Sequence, residues 1–410
     1  MSLVARTRRL DADVDLVAFA GRAGFVFEKG RSGLAGRGEA LTIDWPAGDP
    51  SAAARAAAAT LAAIEADDEV GVPGTGPVAF GALPFVPGSG ASLVVPEVVV
   101  GRAEDGTRWI TELLPDEARD GGSGDVALVG PRHAGPQPTQ YTVTSQISPE
   151  SWCDLVLRAT KVMAGGAFDK VVLARQVDVT TDPPLDRQVV LERLRAAYPG
   201  CHLVGIGGFV AASPELLVSV TGDVVRSHPM AGTAPRGGDP ATDQRLAASL
   251  LASAKDRQEH QVTIDMVHDT LLGWCSYVDY EAEPSVVAVA NVQHLATLVE
   301  GRLSRPTPSV LELVAALHPT PAVAGWPRED AVRWIGEHEG IDRGRYAGTC
   351  GWVDATGNGT WAVSVRCAEI DGAHARVFAG NGIVPDSDPP TELAETRAKL
   401  GALLSALVRP

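Results

Sequence analysis

Apolar positions along the chain either alternate over short runs or recur at helical spacing, and these two periods divide it into strands and helices. Residues 24–28, 39–45, 78–85 and 92–100 read as strands in the first part of the chain. Among them Asp49-Pro50 opens an alanine-rich helix over 51–65, a capping side chain followed by a proline whose missing N–H does no harm there. Further on, a helix over 149–164 leads to a strand over 170–179. A helix over 187–197 leads to two strands, 203–211 and 215–221, that read as a pair. One long helix covers 240–271. Late strands at 348–354, 360–370 and 375–379 carry turns at Gly357-Asn358-Gly359 and Asp371-Gly372. Hairpins outnumber β-α-β units, so the expected class is α+β with largely antiparallel sheets. The segment 116–147, rich in Asp, Gly and Pro, reads as a surface loop or linker between an N-terminal part, 1–115, and a denser region, 148–410.

The chain has 410 residues, 45% of them hydrophobic, enough to bury a large core. A net charge of −16 argues against nucleic acid or an anionic membrane as partner. A small anionic substrate remains compatible with it where a metal or a few cations reverse the local charge. The five cysteines form no CxxC pair, which points to reduced thiols and a cytoplasmic protein. Neither a signal-peptide pattern nor an apolar run of membrane-spanning length is present.

Candidate chemistry starts at the C-terminus. After a glycine-rich turn at 378–383, Asp388 is placed to cap a helix whose first position is Pro389. Glu392, Glu395 and Lys399 then share one face. Carboxylates one turn apart repel by about 0.2–0.5 kcal/mol, which is tolerable on a wet surface or useful around a cation such as Mg²⁺. Asp256 and Glu259 repeat the spacing in the long helix, where Lys255 and Arg257 offer ordinary partners. Glu215 enters an apolar strand: if buried, its pKa rises toward that of a general acid; at a wet strand edge it stays ordinary. Lys170 likewise enters an apolar strand, as a desolvated base or as a snorkelling side chain. Gly232-Thr233 forms a turn with a hydroxyl that suits an anion. Arg366, within a strand, calls for a carboxylate from protein or ligand. His294 and His318 read as structural hydrogen-bonding residues.

The order of these motifs says more than any one of them. FDKVVLAR (168–175), SPELL (213–217), AGTAPR (231–236), KDRQEH (255–260), HLAT (294–297), LHPTPAVAGWP (317–327), RYAGTCGW (345–352), VRCA (365–368), FAGNGIVPDSD (378–388) and TELAETRAK (391–399) together resemble the chorismate-utilising enzymes. That family includes isochorismate synthases, salicylate synthases and the large subunits of anthranilate and aminodeoxychorismate synthase. The resemblance runs from residue 150 to the C-terminus, with a looser echo at 81–85 and 96–97. It implies one unit over 1–410: two large, mostly antiparallel sheets packed together with helices outside, and an active-site cleft beside them.

It also implies Mg²⁺, held by Glu259 and Glu395 with Asp256 and Glu392 acting through waters. Gly232, Thr233, Gly382 and Lys399 would serve the ring-carboxylate region of chorismate, Arg366 and Tyr346 would hold the enolpyruvyl carboxylate, and His294 and Ala322 would line the pocket. Lys170 as base marks the water-adding members, and Glu215 as acid would protonate the departing C4 hydroxyl. The expectation is therefore an isochorismate synthase (an isomerase feeding menaquinone or siderophore synthesis) that needs no protein partner. A salicylate synthase, an amino-transferring member and a non-catalytic chorismate-binding protein are the alternatives. Asn381 stands where the family usually has Ala, as an added hydrogen bond near the substrate carboxylate or as a left-handed turn residue.

Overall fold

Helices begin where capping chemistry places them. In the computed structural model, described for residues 3–116, 126–128, 137–289 and 292–408, Asp49 caps Pro50–Ala62, Ser148 caps Pro149–Ala164 and Asp388 caps Pro389–Leu407. Each cap oxygen accepts from a first-turn backbone N–H, and each helix carries Pro at its start. The long helix expected over 240–271 is two, Pro240–Ala252 and Ala254–Leu272. Ser253 breaks it: its backbone is extended, and its hydroxyl accepts from Asp256 N–H at 3.2 Å, so the acid pair Asp256/Glu259 opens a new helix.

The described strands form two large sheets and one small one. The first has 13 strands. Its central run passes from Gln140–Ser145 through Lys170–Asp182, His374–Ile383, Cys367–Asp371, Phe209–Ser213 and His202–Ile206 to Phe25–Lys29. The second has 9 and includes Leu216–Thr221, Gly359–Val363, Thr349–Asp354 and Val78–Leu83. A third sheet joins Met230–Pro235, Val292–Ala296 and Ser285–Val289. Pairing is antiparallel except between Leu3–Arg9 and Glu65–Asp68. The two large sheets share one core. Phe25 of the first stacks on Phe80 of the second at 5.7 Å, and Trp361 is fully buried among residues of both.

Several strand expectations change. Residues 203–211 are a hairpin, His202–Ile206 with Phe209–Ser213, turning at Gly207-Gly208, and the strand Leu216–Thr221 belongs to the other sheet. Likewise 92–100 divides into Ala91–Val95 and Val98–Arg102, one in each large sheet, on either side of Pro96, which has no N–H for a ladder. The glycine-rich "turn" at 378–383 is the end of a strand, with Val172 opposite Gly382 and Ala174 opposite Gly380. Within 116–147, residues 140–145 are a strand paired to Lys170–Asp182, while 117–125 and 129–136 lie outside the described residues. No described helix is long and apolar enough to cross a membrane.

Candidate active site

Three of the places where the chain passes between sheets bring polar side chains to one cleft. Ser213–Glu215 leaves the first large sheet for the second, so Glu215 sits at a crossing and not in the strand it was expected to begin. Ser364–Arg366 makes the return journey. Arg366 therefore interrupts the expected strand 360–370, with a left-handed φ of 50° that a non-glycine residue adopts only under constraint. Pro229 leads into the small sheet, which brings Gly232, Thr233 and His294 alongside. The cleft has a volume of about 290 Å³. Its lining contains Glu215, Gly232, Thr233, Asp256, Glu259, His294, Ala322, Tyr346, Arg366, Gly382, Glu392, Glu395 and Lys399. Lys170 lies directly behind Gly382: a Cβ on that glycine would come within 2.8 Å of Lys170 Cε.

Glu215 is buried, and its Oε1 has no hydrogen-bond partner. Burial raises its carboxyl pKa to about 7, against the lowering effects of the Met230 backbone, Lys170 and Arg366. The water-facing alternative is therefore excluded, and the group keeps its proton near neutrality. Lys170 is 5% exposed, so it does not snorkel, and its Nζ donates to Glu259 Oε1 at 2.6 Å. Burial alone would raise the Glu259 carboxyl, but Lys170, with Lys399 and Lys255 adding to it, holds it below its ordinary range.

His294 has a definite tautomer. Arg366 Nη2 donates to its Nε2 at 2.8 Å, and a guanidinium has no acceptor, so the imidazole proton is on Nδ1. That nitrogen faces Thr233 Oγ1 at 3.1 Å and the Gly232 carbonyl at 3.3 Å. Burial, then the positive Arg366, push the His294 pKa well down, and the ring is neutral. Arg366 makes no salt bridge with a carboxylate among the described residues. Its remaining donors are suited to an anion entering the cleft. Tyr346 stacks on Phe378 at 5.1 Å, and burial raises its phenol pKa.

On the opposite wall, Lys399 Nζ donates to Glu395 Oε1 at 2.8 Å, the Gly380 carbonyl at 3.0 Å and Asn381 Oδ1 at 2.8 Å. Asn381 Nδ2 in turn donates to Glu392 Oε2 at 3.1 Å and to its backbone carbonyl at 2.9 Å. Asn381 is 2% exposed and has no left-handed φ, so the turn reading is replaced; the hydrogen bonds it adds go to Lys399 and Glu392, which line the cleft. It links Lys399 to Glu392. Burial raises the Glu392 carboxyl, a Ser387 hydrogen bond opposes this, and Glu395 adds to the rise.

The four acids thus come to one cleft from two helices. Among the described residues no three acidic, His or Cys groups converge as a metal-holding cluster. The donor set nevertheless fits Mg²⁺, which takes hard oxygen ligands and commonly only one or two carboxylates, with water filling the rest. Glu259 and Glu395, each now held by a lysine, are the carboxylates such an ion would share.

Every site residue expected from the sequence borders this cleft or, for Lys170, lies just behind it. Lys255, first read as a helix-face partner, also lines it, because the helix break at Ser253 turns the first residues of the second helix toward the small sheet. His318 stays outside and donates from Nε2 to the Phe85 carbonyl at 3.0 Å, as a structural residue.

The family model described as "Chorismate binding enzyme" matches residues 19–408. A Mycobacterium tuberculosis relative with the provisional name isochorismate synthase MenF is 40% identical over 349 residues, covering 82% of this chain and 87% of that protein. Isochorismate synthase DhbC of Bacillus subtilis is 37% identical over 345 residues, covering 81% of each. The crystal structure of a Bacillus anthracis DhbC, provisionally called a 2,3-dihydroxybenzoate-specific isochorismate synthase, superposes with a TM-score of 0.80 at 32% identity, covering 94% of this chain and 96% of that one.

Proposed function

The chain belongs to the chorismate binding enzymes, and from that premise we propose that it is an isochorismate synthase acting by water addition. The observation that carries the proposal is the pairing of functions in one cleft: a buried lysine and, near it, a buried carboxyl that holds its proton to about pH 7 with one oxygen unpartnered. Lys170 takes a proton from water as its oxygen bonds to C2 of chorismate. The ring double bonds shift, and Glu215 gives its proton to the C4 hydroxyl, which leaves as water. The proton on Lys170 and the one lost from Glu215 balance, so the net reaction is an isomerisation. Lys170 is free to act on water when Glu259 is engaged elsewhere. Arg366 and Tyr346 would hold the enolpyruvyl carboxylate, with the neutral His294 fixing the guanidinium. Bound by Glu259 and Glu395, with Asp256 and Glu392 through waters, Mg²⁺ would neutralise the acid wall and anchor the ring carboxylate. The same chemistry serves menaquinone and siderophore supply.

Purified protein incubated with chorismate and Mg²⁺ should yield isochorismate alone by chromatography. EDTA should stop turnover, and excess Mg²⁺ should restore it. Salicylate with pyruvate, or turnover only with ammonium, would replace this reading by another member's chemistry.

Gly382→Ala tests the position of the base. The added methyl meets Lys170 Cε at 2.8 Å and Glu259 Oε1 at 3.0 Å, the far ends of two flexible side chains. Both can move aside at little cost to the fold. Turnover is expected to fall at least about tenfold through misplacement of Lys170, with a melting temperature close to the parent's. Parent-like kinetics would show that Lys170 tolerates displacement and is not the base.

A further inference from the structure

The strand that carries Lys170 has an edge covered in three different ways. At its start, Lys170 and Val171 pair with Trp326 and Gly325, and Val172 N–H donates to the Ala324 carbonyl at 2.9 Å. At its far end, Val177–Asp182 pair with Gln140–Ser145. No described strand covers the gap between. A side-chain ion pair fills it, Glu339 from the end of the helix Arg328–His338 and Arg343 from the loop after it. Arg343 Nη2 donates to the Val172 carbonyl at 2.7 Å, and Glu339 Oε1 accepts from Ala174 N–H at 2.6 Å. Arg343 and Glu339 also bind each other through two contacts, at 2.7 and 2.6 Å, with side chains 3% and 1% exposed.

The same guanidinium reaches the rest of the cleft wall. Its Nη1 donates to the Val323 carbonyl at 3.2 Å, and its Cζ lies 4.2 Å from the Phe85 ring centre and 6.0 Å from that of Tyr346. Val172, Val323 and Tyr346 all line the cleft. One buried cation therefore ties together the strand of the proposed base, the loop that carries Ala322 and the tyrosine expected at the enolpyruvyl carboxylate.

We infer that Arg343, seated by Glu339, is a positioning residue for the reaction: it fixes the Lys170 strand against the Ala322–Val323 loop and Tyr346. The inference rests on the proposed function for the identity of the reaction, but not for the geometry. A buried ion pair by itself adds little net stability over well-packed neutral groups. What an apolar pair of the same volume would lack is donation to two carbonyls in different segments, a task that suits the planar fork of arginine and not lysine.

Arg343→Lys separates the two roles. It keeps the charge opposite Glu339 and gives up the fork. Its melting temperature should stay near the parent's, whereas kcat should fall about 10²-fold with a much smaller change in KM. Hydrogen exchange at Ala174 N–H should accelerate. The double variant Arg343→Met/Glu339→Gln removes the charges together and should show the same loss of kcat per folded molecule, so the test survives if the lysine variant does not fold. Parent-like kcat in either folded variant overturns the inference. The parent's product is assayed in parallel and decides the identity of the reaction separately; if the product is not isochorismate, the variant-to-parent ratio is read on whatever product forms. If the parent does not turn over, the proposed reaction fails, and hydrogen exchange at the Ala174 N–H reads the clamp instead: faster exchange in the folded variants supports it and unchanged exchange overturns it.

Discussion

Lys170→Ala is expected to abolish isochorismate formation, a loss of about 10³-fold or more, while chorismate still binds in the presence of Mg²⁺. The size follows from the role, because a positioned general base contributes about 10²–10⁴-fold, and no other lysine reaches the same place. Lys399 is tied to Glu395, Asn381 and the Gly380 carbonyl, and Lys255 is at the exposed mouth. The fold should survive. Removing one member of a buried pair ordinarily destabilises by about 3–5 kcal/mol, but Glu259 keeps Lys399 and Lys255 in its electrostatic surroundings and retains 17% side-chain exposure. Two measurements check this: initial rates by chromatography, and calorimetric titration with chorismate and Mg²⁺. Turnover within tenfold of the parent would remove Lys170 from the mechanism. Loss of binding together with turnover would mean that Lys170 holds the site together and does not act on water.

What the sequence conveys depends on how local the physics is. Caps are local, so Asp49-Pro50, Ser148-Pro149 and Asp388-Pro389 mark three helix starts at the observed residues. The acid pairs Asp256/Glu259 and Glu392/Glu395 are legible because helical spacing fixes which face they share. The break at Ser253 is not, since a serine flanked by alanines is an acceptable helix interior until its hydroxyl finds the Asp256 N–H. The crossings at Ser213–Glu215 and Ser364–Arg366 are hidden for a deeper reason. Each strand on either side has good β composition, and only tertiary pairing assigns it to one sheet or the other. Those crossings make the site, because they turn two ionisable residues out of the ladders and into the cleft. Arg343 and Glu339 are invisible for the same reason. Their targets, Val172, Ala174 and Val323, are backbone groups distant in sequence, and no motif encodes a gap in a sheet edge. The resemblance of ordered motifs conveys which side chains gather, and the structure supplies the electrostatics: a carboxyl raised to about 7, a neutral imidazole of known tautomer and two lysines engaged by the acid wall.

Glu215→Gln should cost about 10²–10⁴-fold in turnover, since the amide preserves size but has no proton to give. The parent's kcat/KM should fall as pH rises through about 7, where Glu215 loses its proton, and the residual rate of the variant should lack that limb. Stability provides a readout independent of catalysis. An unfolded glutamate releases its proton near its ordinary value of 4.5, whereas the folded chain keeps it to about 7. Between those values the folded state binds more protons, so the parent loses stability as pH rises, by about 3 kcal/mol in all from this one group. Glutamine removes the titration and with it the loss. Its own unsatisfied amide carries a penalty, but one that does not change with pH. The melting temperature of the variant relative to the parent should therefore climb between pH 5 and pH 8, whatever its absolute value. A constant difference over that range would mean that Glu215 is ionised throughout in the folded chain. It could not then be the proton donor, and the loss of C4 hydroxyl would need another acid in the cleft.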